Sequence, residues 1–200
     1  MKKTILTLVF VCLAPMIFSQ DQFSKNIMIG VYTNIGINQP IRLTSINDDI
    51  SYYGRGSYTA GVKFSRFLSP RNKLEIGACY SVHKVAFEFS FDPDPDDRKP
   101  TETFETFNIP IVLKNYLKNN YFLSVGTIID IGLPRNSLWT DTQTGFGLSF
   151  GGGKDFLIKN TIIDITPNLE IHSLVPFSSV SGQQRLTVLG LRIGINNNCP

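Results

Sequence analysis

Seven ionisable residues sit at alternate positions within otherwise apolar runs: Lys63, Glu75, Lys114, Asp130, Asp164, Glu170 and Arg192. Alternate residues of an extended chain point to one face, so these seven share the polar faces of their runs. Three are basic and four are acidic. Charges withdrawn from water must be paired and hydrogen-bonded, so a mixed set of this kind suits a network that fills an interior. The sharper alternative is a selective conduit lined by the same groups.

Other candidate chemistry is weaker. The two histidines, His83 and His172, fall on the same polar faces, on the third and seventh of eight predicted strands. Those strands face one another across a ring, which sets the imidazoles apart and argues against a two-histidine metal site, whose ligands must converge on one ion. Ser and Asp residues close in sequence leave a histidine-based hydrolase at the outer rim open, although no nucleophile motif accompanies it. Asp92-Pro93-Asp94-Pro95-Asp96-Asp97 alternates acids as calcium loops do, yet it lacks the glycine and the bidentate glutamate of an EF-hand and reads as a solvated loop. Gly151-Gly152-Gly153-Lys154 lacks the spacing and the helix of a phosphate-binding loop. No catalytic, cofactor-binding or metal-binding residue is assigned, and no cofactor is expected. A net charge of +3 with scattered Lys and Arg gives no stripe for nucleic acid.

The elements that must position these residues are strands. Ala is scarce (Ala14, Ala60, Ala78, Ala86), while Phe, Tyr, Ile, Val and Thr abound, a balance that favours sheet. The clearest unit is a hairpin over 103–133. Phe107, Ile109, Ile111 and Leu113 share one face of its first arm, and Leu123, Val125, Ile129 and Ile131 share one face of its second, around the short turn Lys118-Asn119-Asn120. Similar runs cover 26–38, 57–68, 73–91, 142–157, 160–175 and 184–196, giving eight strands in all. Short turns near 69–72, 118–120 and 158–159 alternate with longer loops over 39–56, 92–100, 134–141 and 176–183. An even strand count with short turns at one end and long loops at the other is the pattern of an up-and-down transmembrane barrel.

Glycine placement decides which face is inside. Gly30, Gly36, Gly61, Gly77, Gly126, Gly132, Gly147, Gly151, Gly153, Gly190 and Gly194 fall on polar faces, and Gly152 on an apolar one. A solvated outer face has no need of such positions, whereas the interior of an eight-stranded barrel has little room for side chains. The polar face is therefore inside and the apolar face meets lipid; with the faces reversed, the chain would be a soluble lipocalin-like barrel. Aromatics add two belts, with Phe67, Tyr116, Tyr121, Phe122 and Phe156 near the short turns and Tyr52, Tyr53, Tyr58, Phe89, Phe91, Phe104, Trp139 and Phe177 near the long loops. Pro110 and Pro167 lie inside strands, where a missing donor predicts local bulges, and the ambiguous alternation over 84–87 predicts another. Residues 1–20, with Lys2 and Lys3 before an apolar run ending near Ser19, read as a secretory signal peptide, leaving 21–200 as one barrel domain. Cys79 and Cys199 lie on different elements, and two cysteines are too few for a disulfide framework.

Phe107-Asn108-Ile109-Pro110-Ile111-Val112-Leu113-Lys114-Asn115-Tyr116 resembles the Ile-Pro-aliphatic-aliphatic-Lys-aromatic segment of the PorT-like outer-membrane β-barrel family. Phe146-Gly147-Leu148-Ser149-Phe150-Gly151-Gly152-Gly153 is similar to its glycine-rich strand, and Leu189-Gly190-Leu191-Arg192-Ile193-Gly194 to its closing strand. The resemblance implies an eight-stranded barrel in the outer membrane of a Gram-negative cell, without catalytic residues. Some members assist a secretion and gliding-motility system. Many outer-membrane barrels end on an aromatic residue, whereas this chain ends Asn196-Asn197-Asn198-Cys199-Pro200.

The expected protein is thus an all-β, eight-stranded antiparallel up-and-down barrel in the outer membrane, with short turns in the periplasm and long loops outside. Its expected role is non-enzymatic, structural or interactive, and accessory to protein secretion. Expected partners are outer-membrane lipid and envelope or secretion-system proteins engaged through the loops or the periplasmic rim. The alternatives are a small conduit or ligand-binding barrel and, third, a rim-located enzyme.

Overall fold

The computed structural model describes residues 27–42, 50–89, 101–133, 143–177 and 184–198. Eight strands follow in chain order: β1 (Met28–Arg42), β2 (Ile50–Ser69), β3 (Asn72–Phe89), β4 (Thr101–Tyr116), β5 (Tyr121–Gly132), β6 (Gly145–Ile158), β7 (Thr161–Pro176) and β8 (Gln184–Asn198). Each pairs antiparallel with its sequence neighbours, and β1 pairs β8 from Met28↔Asn198 to Arg42↔Gln184, which closes the ring. Closure matters because an open edge would leave unpaired backbone groups in hydrocarbon. The short connections are tight: Asn119, Asn120 and Lys159 take positive φ in the β4–β5 and β6–β7 turns.

The faces sort as an inverted globule. Outward Ile37 is 69% exposed and outward Leu123 60%, whereas inward Lys114, Asp130 and Asp164 are fully buried. Only a membrane makes that arrangement favourable, since the apolar surface then meets acyl chains while the charges meet one another. Inward glycines let the walls approach. A Cβ at Gly36 would lie 2.5 Å from the Leu189 carbonyl oxygen across the β1–β8 seam, and one at Gly194 would strike Asp164 and the Lys63 ammonium.

The strands differ from expectation in four places. The loop expected over 39–56 is mostly sheet, with β1 running to Arg42 and β2 beginning at Ile50. The bulge expected within 84–87 lies instead on the facing strand, between Gly54 and Gly56. There Gly56 adopts φ 141°, which favours glycine. On β3 the register with β4 continues without a shift, so the alternation of facing is kept although Val85, Ala86 and Phe87 are all buried. It looked ambiguous because Val85 and Phe87 are apolar residues that point inward. Pro110 and Pro167 produce no register shift. Pairing lapses locally between β3 and β4 and between β6 and β7, and the register resumes unchanged, because a missing donor removes a bond without adding a residue. The remaining irregularities are at Phe67/Ser69 and Phe146/Leu148. The latter lies opposite β7 near Ser173, which has φ 49°.

The aromatic belts are thinner than expected. Tyr121 and Phe156 face outward at the short-turn end, and Tyr53, Tyr58 and Phe177 at the long-loop end. Phe122 is buried in the lumen, and Phe67 and Tyr116 flank the buried Lys73. Tyr52 and Phe104 pack on an internal apolar cluster. Phe91 and Trp139, the 92–97 acidic stretch, Cys199 and residues 1–20 lie outside the described residues, as does the side chain of Phe89.

The Gly36→Val variant is expected to be less stable by about 1–3 kcal/mol, the usual cost of overpacking a tight interior. Its urea midpoint in detergent should fall. Gly152→Ala, whose Cβ would meet only the Leu123 Cδ2 (3.3 Å) and the Phe122 carbonyl oxygen (3.5 Å), should fall less. Equal midpoints for Gly36→Val and the wild type would contradict the close β1–β8 approach.

Candidate functional site

Inward side chains stack in layers along the lumen. Nearest the short turns is a charge cluster. Glu75 of β3 is surrounded by Lys114 Nζ at 3.0 Å, Lys73 Nζ at 3.3 Å, Lys63 Nζ at 3.7 Å and Arg192 Nη2 at 3.8 Å. Neither Glu75 oxygen has an aligned hydrogen bond, so its carboxylate is held chiefly by the field of four cations from β2, β3, β4 and β8. Asp164 of β7 accepts from Lys63 at 2.5 Å, Lys114 at 3.2 Å and Asn196 at 3.1 Å. Asp155 of β6 accepts from Tyr116 Oη at 2.6 Å and Lys73 at 3.3 Å. Aromatic faces complete the shell, with Lys114 Nζ 4.2 Å from the Phe122 ring centroid and Lys73 Nζ 5.4 Å from that of Tyr116.

A layer of hydroxyls and amides comes next, with Glu170 at its border with the layer above. Thr59 and Ser81 hydroxyls meet at 2.8 Å, and Asn108 Nδ2 donates to Ser81 Oγ at 2.7 Å. Glu170 accepts from Asn168 at 2.7 Å and from Asn34 at 3.3 Å. Above it lies the histidine layer. Ser57 Oγ and His83 Nδ1 are 2.8 Å apart, His172 Nδ1 and Asp130 Oδ1 are 2.9 Å apart, and the Ser173 N–H donates to Asp130 Oδ2 at 2.6 Å. Val85, Phe87, Leu186 and Val188 cap the lumen on the long-loop side.

The seven charges singled out in the sequence therefore divide. Lys63, Glu75, Lys114, Asp164 and Arg192 converge in one cluster, while Asp130 and Glu170 belong to the surroundings of His172, with Glu170 Oε2 3.7 Å from His172 Nε2. Lys73 and Asp155 complete the first cluster and were missed. Their signal was the same alternation, at the ends of β3 and β6 where strand gives way to turn. The separation expected of His83 and His172 is wrong: their ring centroids are 5.2 Å apart. Opposite strands do carry them, but an eight-stranded interior is only as wide as its side chains, so residues facing across it touch.

Nucleophilic catalysis by a triad needs one imidazole that takes the serine proton and is oriented by an acid on its other nitrogen. Here these roles are divided between two rings. His83 contacts Ser57, while Asp130 binds His172, and His83 Nε2 has no hydrogen-bond partner. Among the described residues no group of three or more His, Cys, Asp or Glu is disposed to hold a metal ion. A cavity of about 980 Å³ opens at the short-turn end, bordered by Tyr116, Asp155, Arg71, Lys118 and Leu157. It leads down to the charge cluster through Asp155.

Comparison with known proteins agrees with this architecture. The model of the outer membrane protein beta-barrel domain matches residues 18–144. No curated protein matches the chain. Among solved structures, the outer membrane protein OprG from Pseudomonas aeruginosa superposes with a TM-score of 0.55 at 11% identity, covering 87% of this chain and 95% of that one. Ail from Yersinia pestis, determined in a phospholipid bilayer nanodisc, aligns at a TM-score of 0.38 and 14% identity over 84% of this chain and 98% of its own. The OprG likeness is one of fold, and the Ail likeness is too low to add to it. With a family model matching most of the chain and a closed, apolar-out ring of eight antiparallel strands, this chain belongs to the outer membrane protein β-barrel domain family and resides in the outer membrane.

Proposed function

We propose that the protein is a non-enzymatic outer-membrane component with a sealed lumen, acting through the surfaces it presents at its two ends. The observation that carries this reading is the layered filling of the interior. Four cations and three carboxylates interlock near the short turns, and an apolar cluster closes the other side. A lumen so occupied suits a structural or interaction role. The resemblance of the Lys114 segment and the glycine-rich β6 to the PorT-like family favours envelope or secretion-system proteins as partners and a role accessory to secretion. In this reading residues 1–20 direct export and are removed, the short turns face the periplasm, and the long loops face outward. The division of Ser57 and Asp130 between two imidazoles weighs against a rim enzyme.

The cavity at the short-turn end favours a second reading, a ligand-binding barrel or small conduit. Single-channel recording separates the two. The purified protein in a planar bilayer should be silent, and steady unitary conductance would favour the conduit.

The cluster itself should behave as one cooperative unit. Lys114→Met is expected to cost about 3–5 kcal/mol, the usual penalty for leaving a buried charge uncompensated. Adding Glu75→Leu should restore part of that loss, because the orphaned carboxylate goes with it. Unfolding midpoints of the two single variants and the double variant measure the coupling. Strict additivity would contradict a shared network.

A further inference from the structure

We propose that the outer surface around Lys154 binds an anionic glycerophospholipid, with its phosphate on the Lys154 ammonium and an acyl chain laid along Gly152. The proposal rests on insertion in the outer membrane and is independent of whether the lumen is sealed.

Lys154 belongs to the lipid-facing set of β6, in line with Phe150, Gly152 and Phe156 and directly opposite Tyr121 of β5. Its ammonium lies 4.7 Å from the Tyr121 ring centroid and 5.3 Å from that of Phe156. Both rings are open to the surroundings. A lysine between exposed aromatics at a strand end marks the headgroup level, where the alkyl stem lies in hydrocarbon and the charge reaches the interface.

The same end carries the partly exposed Arg66 and the exposed Arg71, Lys118 and Lys159. The described acidic residues of this half, Glu75, Asp155 and Asp164, point into the lumen. Of the described acids toward the long loops, Glu88 and Glu105 lie on the outer face, and Glu102, paired with the inward Val85, shares the inner one. Among the described residues the short-turn rim is thus a collar of cations with no carboxylate on its outer side, and lipid phosphate is the complement at that depth.

The wall below Lys154 is shaped for a chain. Gly152 is a glycine on the lipid face, and a Cβ there would meet only Leu123 Cδ2 at 3.3 Å and the Phe122 carbonyl oxygen at 3.5 Å. Gly151↔Asn168 and Lys154↔Ile165 set the β6–β7 register, which places Gly152 opposite the compact Pro167. A residue without a side chain, beside the short ring of Pro167, lowers the wall there into a shallow trough below Lys154 and beside Leu123. A cation above an apolar trough is the complement of a phospholipid. It is a poor match for a soluble anion, which would gain nothing from the trough.

The test is lipid retention. The full chain is folded into vesicles of phosphatidylethanolamine doped with phosphatidylglycerol, extracted in mild detergent, and its co-purifying lipids are quantified by mass spectrometry. Phosphatidylglycerol should be enriched over its share in the vesicles. Lys154→Gln should reduce that enrichment about fivefold, the factor expected of one basic residue at an anionic surface. Lys154→Arg and the opposite-end control Lys84→Gln should retain it. Gly152→Leu, which fills the trough, should lower it with the charge left intact. Absence of enrichment in the wild type, or equal enrichment in Lys154→Gln, would overturn the proposal. Band mobility before and after boiling reports insertion separately. If Lys154→Gln fails to insert, the wild-type enrichment and Gly152→Leu still decide.

Discussion

Lys114 Nζ lies 3.0 Å from Glu75 and 3.2 Å from Asp164 with no exposure to solvent, and the interior is arranged around that contact. Three strands, β3, β4 and β7, meet there, and Lys63, Lys73 and Arg192 extend it to β2, back to β3, and to β8. Each charge is tolerable in the lumen only because the others are present. The cluster can form only when the ring is closed, since its members come from opposite walls. Ring closure and charge pairing therefore stabilise each other. The aromatic faces of Phe122 and Tyr116 cover the ammonium groups of the fully buried Lys114 and Lys73.

A narrow lumen explains the rest. Eight strands leave space for one layer of side chains at each level, so large groups at one position demand glycine at the facing or adjacent one. Gly194 makes room for Asp164 and Lys63, and Gly153 for Phe122 and Thr166. The same narrowness brings His83 and His172 into contact and stacks a charge cluster, a hydroxyl and amide layer, an imidazole layer and an apolar layer in sequence. The outer surface obeys a different constraint. It needs apolar bulk through the bilayer and cations or aromatics at its edges, and Lys154 with Tyr121 and Phe156 meets that need at the short-turn end.

Strand number, antiparallel order and the inside-outside assignment were legible in the sequence, because period-two alternation reports faces directly and glycine reports the crowded side. Strand ends were less legible. Positions 39–42 (Gln39-Pro40-Ile41-Arg42) contain a proline and 50–56 contain the glycines Gly54 and Gly56, and their pairing is imposed by β8 and β3 rather than by local pattern. Inward apolar residues misled: Val85 and Phe87 obscured a regular alternation and suggested a bulge on the wrong strand. The charge set was found by alternation, but its division into two groups was not, because height along a tilted barrel depends on register between strands distant in sequence. The contact between His83 and His172 was missed for a related reason. Topology gives which strands oppose one another, while only the filled width of the lumen gives how far apart their side chains are.

The most direct test of the sealed lumen uses Cys79, which lies midway along β3, 5% exposed, with Sγ 3.6 Å from the Asn108 carbonyl oxygen. Folded, detergent-solubilised protein is treated with a water-soluble maleimide, digested, and the Cys79 peptide is quantified against a sample labelled after boiling in SDS. A packed lumen predicts that Cys79 reacts only in the boiled sample. Comparable labelling of the folded protein would mean that water and solutes reach the middle of the barrel, and the account of a closed, charge-locked interior would be wrong.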